Sequence, residues 1–153
     1  MNKVTQESIN NLTKADWQEI QSIYNEIVNH KGPFYETKGG EVEEDGAMSM
    51  PYYDSAPIVT KTMQFLYDKK LIVDFDWSAW DEGREIFHRS GENRYNDVSL
   101  IDLFKLLTVV ARNSRFNEGV FDLFFESGDA RLLFKRILTF NPYLKTLNKK
   151  VTQ

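Results

Sequence analysis

The sequence predicts one mostly α-helical domain of about six helices, with room for a small hairpin in the segment 31–56. Three observations carry that reading. Apolar residues recur at intervals of three and four along most of the chain, the period of a helix buried on one side. Gly and Pro interrupt the pattern at Gly32-Pro33, Gly128 and Asn141-Pro142. The 153 residues show no internal repeat or interdomain linker, and at about 100–200 residues per domain that length suits a single unit.

Trp17, Ile20, Tyr24, Ile27 and Val28 form one stripe at helical spacing and predict a helix over residues 14–30. Thr13 is placed to cap it, and Asp16 suits its positive start. Gly32-Pro33 ends it. From 31 to 56 the pattern lapses: Gly32, Gly39, Gly40, Gly46, Pro33 and Pro51 make this a long loop, and loops of that length in compact domains are usually functional or disordered. Gly39-Gly40, between Phe34-Tyr35 and Val42, suggests the turn of a small hairpin. Met48-Ser49-Met50-Pro51-Tyr52-Tyr53 is too apolar to stay wholly in water and is expected to dock on the domain.

Asp54 or Ser55 is expected to start the second helix, with Pro57 in its first turn and Ile58, Val59, Phe65 and Leu66 inward. Leu71–Phe75 is strand-like in composition and reads as an extended connector or an edge partner for the glycine-rich loop. A third helix is expected at 77–89, started by Asp76. Ser99 caps a fourth, whose Leu100, Ile101, Leu103, Phe104, Leu106, Leu107, Val109 and Val110 are apolar nearly all round; such a helix belongs at the centre of a bundle. Asn117 is placed to cap a fifth, bearing Val120, Phe121, Phe124 and Phe125. Gly128 suits a left-handed stop and Asp129 the next cap. The sixth helix carries Leu133, Phe134, Ile137 and Leu138, and residues 143–153 read as a flexible tail.

Composition narrows the function classes. The absence of cysteine excludes disulfides, thiolate metal sites and a cysteine nucleophile. No apolar run approaches the ~20 residues of a membrane span, and Met1–Gln6 lacks the apolar core of a signal peptide, so a cytoplasmic domain is expected. Net charge is −4 and uneven: residues 1–56 carry four basic against ten acidic residues, and 129–153 six against one. An acidic total argues against a general nucleic-acid binder. Arg131, Lys135, Arg136, Lys145, Lys149 and Lys150 read as a solvated face rather than a phosphate patch, and Glu41, Glu43, Glu44 and Asp45 as solubilising a loop.

Standard catalytic signatures are missing: no P-loop, GxGxxG, GxSxG or HExxH is present. His30 and His88 lie in separate elements, and neither a metal site nor a cofactor is indicated. Two constellations remain. Arg112-Asn113-Ser114-Arg115-Phe116-Asn117-Glu118-Gly119 follows the most apolar helix. One reading is an anion pocket in which Arg112 and Arg115 fork onto a phosphate or carboxylate beside Asn117 and free amides. The other, preferred, is structural: Arg115 pairs with Glu118 and Arg112 ties down helix carbonyls. In Phe75–Arg84, Trp77 and Trp80 are spaced to stack a planar ligand with Arg84 over a ring; the preferred reading buries both in the core, with Gly83 admitting a neighbouring helix.

Phe75-Asp76-Trp77…Trp80…Gly83, Leu106-Leu107-Thr108…Arg112…Arg115-Phe116-Asn117-Glu118-Gly119 and Glu126-Ser127-Gly128 together resemble a bacterial and phage-associated family of unknown function. Its pattern runs FDWxxWxxG…LLTxxVRxxRFxEG…ESG, over about residues 75–138, with a fainter echo at Met50–Tyr53. The chain departs at Ala111, where the pattern has Val, and at Ser114, where Asp is common. The resemblance implies a domain unit and no particular activity. The function expected from all this is a non-enzymatic binding protein that occludes a protein partner, with Tyr52 and Tyr53 as contacts, or sequesters a small anionic ligand. The alternative is an enzyme or sensor that takes a phosphorylated or nucleotide ligand on Arg112 and Arg115 with stacked Trp.

Overall fold

The helix with the longest apolar stretch of the chain packs against three others. In the computed structural model, which describes residues 3–72 and 75–143, this is α5 (Leu100–Asn113). Before it come α1 (Lys3–Asn10), α2 (Lys14–Asn29), the strands β1 (Tyr35–Lys38) and β2 (Tyr52–Ser55), α3 (Pro57–Asp68), a 3₁₀ turn at Trp77–Ala79 and α4 (Asp81–Phe87); after it come α6 (Val120–Glu126) and α7 (Asp129–Leu138). Helix α5 packs against α4, α6 and α7, while α2 lies along α7 and α3 bridges α2 and α6. Leu103, Phe104, Leu106 and Leu107 are wholly buried, while Asp102, Lys105, Val109 and Arg112 form a half-exposed stripe at helical spacing, so the helix is not closed off from water on every side as expected. Thr108 satisfies its buried hydroxyl on Phe104 O at 2.8 Å.

Local signals account for the boundaries. Thr13 accepts from the Asp16 amide while Asp16 accepts from the Thr13 amide, a full capping box. Ser99 caps α5 through the Asp102 amide. Gly128 is left-handed (φ +88°), as expected; it, and not Asp129, stands at the N-cap of α7, and Asp129 is the first helical residue, its carboxylate accepting from Ser127 Oγ at 2.6 Å and Tyr95 O–H at 2.8 Å. That buried phenol is pushed up by desolvation and by the Asp129 charge.

Several expectations need correction. Helix α1 was not anticipated, since its sequence, KVTQESIN, has almost no apolar face. In α2, Ile23 takes the inward place and Val28 is exposed, because a buried Ile20–Ile23–Ile27 row is tighter than one reaching Val28. Asp54 and Ser55 belong to β2, and Ala56 stands at the N-cap of α3 with Pro57 following. Leu71 and Ile72 form no strand, Leu71 being buried as a connector; Val73 and Asp74 lie outside the described residues. The expected helix at 77–89 is split, and Trp80 rather than Asp76 precedes α4. Gly119, left-handed at φ +89°, replaces Asn117 at the start of α6. The expected tail overlaps the described residues only at Tyr143, which follows α7; 144–153, with Lys145, Lys149 and Lys150, lie outside them.

The split at Trp80 explains Gly83. The indole of Trp80 folds over its own helix start, and a Cβ on Gly83 would stand 2.2 Å from Trp80 Cε3. Gly83 therefore admits a ring of its own segment, not a neighbouring helix. Gly83→Ala is expected to lower stability by about 1–3 kcal/mol, read from urea unfolding; an unchanged midpoint would show that the ring moves aside freely.

Asp16 generates a second expectation. Burial pulls its carboxyl upward, but the hydrogen bonds from Lys69 (2.9 Å) and the Thr13 amide outweigh that and hold it below the usual carboxylate range. A group depressed in the folded state contributes stability above its unfolded pKa and loses it as pH falls through the folded value. The Tm difference between the native chain and Asp16→Asn should thus be full at neutral pH, begin to shrink below about pH 4, and vanish only once pH has fallen past the lowered folded value.

Candidate functional site

The segment 31–56 is a two-stranded ribbon rather than a loop with a hairpin turn at Gly39-Gly40. Strands β1 and β2 pair antiparallel from Tyr35↔Ser55 to Lys38↔Tyr52, and Val42↔Met48 continues in the same register farther out. The turn lies at the end: Glu43 N–H donates to Ala47 O, Gly46 N–H to Glu43 O, and Ala47 N–H to the Asp45 carboxylate. Gly39 and Gly40 sit mid-ribbon with φ near +80°, and a Cβ on Gly39 would meet Met50 O at 2.4 Å. The two glycines let the strands cross closely there instead of reversing the chain.

The base of the ribbon is held by three carboxylates, Asp122 and Glu126 four apart on one face of α6 and Glu118 in the turn before it. Glu118 accepts from the Tyr53 amide at 3.0 Å, Asp122 from the Ser55 hydroxyl, and Glu126 from the Phe34 amide at 2.8 Å. Asp122 is only 6% exposed. Against the same turn, the Tyr53 ring lies so close to Gly119 that a Cβ there would stand 2.8 Å from Tyr53 Cζ. Tyr53, Ser55, Thr60, Met63, Ser114, Glu118 and Asp122 line a cleft of about 290 Å³ at this junction. Phe34 adds an apolar anchor, tilted on Phe125 with ring centroids 5.7 Å apart and stacked on His30 at 4.4 Å.

The outer half of the ribbon touches little. Val42, Met48, Met50 (84% exposed) and Tyr52 stand in solvent, so Met48–Tyr52 does not dock on the domain as its composition suggests. Only Tyr53 turns inward. Glu41, Glu43, Glu44 and Asp45, together with Thr37, Lys38, Val42 and Tyr52, line an open depression of about 940 Å³. Lys38 is bound to Asp54 at 2.6 Å.

The residues singled out from sequence are dispersed among different partners. Arg115 donates to Tyr67 Oη at 3.0 Å and lies over that ring, so it joins α3 and not Glu118, whose contact is the Tyr53 amide. Arg112 is half-buried at the end of α5, and Asn117 bonds Asn113. Trp77 is exposed and Trp80 half-buried, so the core placement does not hold for Trp77. The cation over Trp80 is Lys105, 5.0 Å from its centroid; Arg84 turns instead to Ser78 O. Of the basic C-terminal residues, Arg131 pairs with Glu92 and Arg136 bonds Val98 O. Among the described residues no cluster of three metal-ligating side chains occurs, and no helix is long and apolar enough to cross a membrane.

Sequence reasoning missed Ser55, Asp122 and Glu126. The signal was present in Glu118, Asp122 and Glu126 at intervals of four, but the partners are backbone amides and a hydroxyl far away in the chain. Phe116, 82% exposed, is the residue of the RFxEG block for which packing offers no role.

A sequence profile described as a family of unknown function (DUF6508) matches residues 12–141, and the chain belongs to that family. The match extends well beyond the segment 75–138 and takes in the whole ribbon. No curated protein and no solved structure matches.

Removing Glu118 is expected to loosen the ribbon without unfolding the helices. A hydrogen bond to a charged group contributes about 1.5–3 kcal/mol, so Glu118→Ala should speed hydrogen exchange at the Tyr53 amide about tenfold or more, with helix amides unchanged. Exchange that stays slow would mean the carboxylate row does not hold the strand.

Proposed function

Starting from membership of that family, we propose that the chain is a non-enzymatic protein-binding module of a bacterium or its phage, acting in the cytoplasm, and that the free end of the ribbon is its contact element. One observation carries this reading: a ribbon hydrogen-bonded to the domain at its base presents Val42, Met48, Met50 and Tyr52 to solvent, with four carboxylates gathered beside Val42 and Tyr52. Exposed apolar side chains grouped on a projecting element, rimmed by charge, are the usual anatomy of an interaction surface. Methionine adds adaptability, because its unbranched, polarizable side chain fits irregular partner surfaces. The rim is acidic, so the partner surface is basic around an apolar centre, and opposite charge speeds encounter. Anchoring matters as much: a contact element ordered before binding loses less entropy on association.

Sequestration of an anion by Arg112 and Arg115 has less support, because Arg115 is engaged with Tyr67.

A photo-crosslinking residue at Met50 in cells of the encoding organism should yield a discrete protein adduct. Replacing Val42 and Met48 by Ser in that protein should abolish the adduct, and its recovery should fall steeply with added salt. The absence of any adduct, or an adduct indifferent to both changes, would overturn the proposal.

A further inference from the structure

The two edges of the ribbon are not equivalent. Ala56 N–H donates to Phe34 O, so Phe34/Ala56 is a hydrogen-bonded pair. Pair types alternate along an antiparallel ladder; Tyr35/Ser55 and Thr37/Tyr53 are therefore the non-bonded pairs, whose N–H and C=O groups point away from the partner strand. Tyr53 obeys this, because its outward amide donates to Glu118. The outer edge of β2 is thus covered by the α6 side of the molecule. The matching groups of β1, on Tyr35 and Thr37, face out along an edge where Glu36, Thr37 and Lys38 are all exposed. An open strand edge of this kind is a template for another strand.

What the edge fits is written in its charges. Glu36 stands directly opposite Asp54, like charge against like, while Lys38 has turned diagonally to Asp54. Cross-strand like charges are unfavourable, and Glu36 gains no cation from β2. If β1 meets a second β1 antiparallel, with Thr37 opposite Thr37, Glu36 of each copy falls opposite Lys38 of the other. Both acidic groups then acquire a cation, the two threonines form a favoured cross-strand pair, and the outward N–H and C=O of Thr37 are exchanged across the two-fold axis. The ammonium of Lys38 has three donors and can serve Asp54 and the second copy's Glu36 together.

The geometry points to a homodimer built by antiparallel pairing of β1 with β1 of a second copy, giving a four-stranded sheet with a ribbon end projecting on either side. Gly39, left-handed at φ +79°, ends the paired stretch and leaves each outer ribbon half free. This surface adjoins the apolar contact row, since Thr37 and Lys38 also line the depression there, but the self-pairing does not depend on the partner proposed for that row.

Sedimentation equilibrium of the full chain tests the inference. The native chain should dimerise, and Thr37→Pro, which removes an outward amide without breaking a bond to β2, should be monomeric with an unchanged circular dichroism spectrum. Glu36→Lys and Lys38→Glu should each weaken self-association about tenfold or more, and an equimolar mixture of the two should form a one-to-one heterodimer, since every cross-pair is then opposite in charge. A native chain that stays monomeric up to about 1 mM, a dimer untouched by Thr37→Pro, or two charge variants that fail to pair would each overturn it.

Discussion

The fold is organised by the need to bury the wide apolar face of α5. With Leu103, Phe104, Leu106 and Leu107 at zero exposure, α5 leaves only the stripe of Asp102, Lys105, Val109 and Arg112 half-open to water. Elements before and after it in the chain must close around it. That closure decides where the chain turns next. At the end of α5 the backbone passes through Arg115–Gly119 and re-enters as α6, and the same turn aims Glu118, Asp122 and Glu126 at whatever lies alongside. What lies alongside is the ribbon. The apolar demand of one helix thus orients the polar row that holds a distant element.

The residues of the RFxEG and ESG blocks acquire physical meanings from this arrangement. Glu118 and Glu126 take main-chain amides from the two strands of the ribbon base, 65 and 92 residues away in sequence. Gly119 must be left-handed and must also let the Tyr53 ring approach, two conditions that any side chain violates. Arg115 reaches back to Tyr67 on α3. Gly83 and Trp80, in the FDWxxWxxG block, form a local lock of the same steric kind. In this chain Arg115, Glu118 and Glu126 tie separate elements together, through partners different from those that spacing within the block suggests.

What was legible in the sequence, and what was not, follows one physical division. Signals confined to a turn or two of chain were readable: the Thr13 and Ser99 caps, the stop at Gly128 and the inward faces of α3, α5 and α7. Signals that depend on a partner far away were not. Arg115 and Glu118 are three residues apart and oppositely charged, so pairing them is the natural reading; the fold instead separates them onto Tyr67 and the Tyr53 amide. Glycine misled in a related way. Gly39-Gly40 carries the usual mark of a tight reversal, yet a positive φ also serves two strands that cross closely, and sequence does not distinguish these uses. Helix α1 was missed because a short helix with few apolar residues offers no periodicity to detect.

The ribbon is a case where stability and availability are divided along one element. Near its base, Phe34, Tyr53 and Ser55 are fastened by hydrogen bonds and by rings against α6. Beyond Gly39-Gly40 almost nothing fastens it, and its apolar residues are exposed although burying them inside the domain would be favourable. A Met–Val–Met row left in water forgoes about 25 cal/mol for every Å² of apolar surface it could have covered. A folded base prevents that collapse, because the register fixed from Tyr35↔Ser55 to Lys38↔Tyr52 propels the strands outward before the row is reached. The exposed end is thereby a consequence of how firmly the other end is held, and loosening the base would let the row fall back onto the helices and close the surface it now presents.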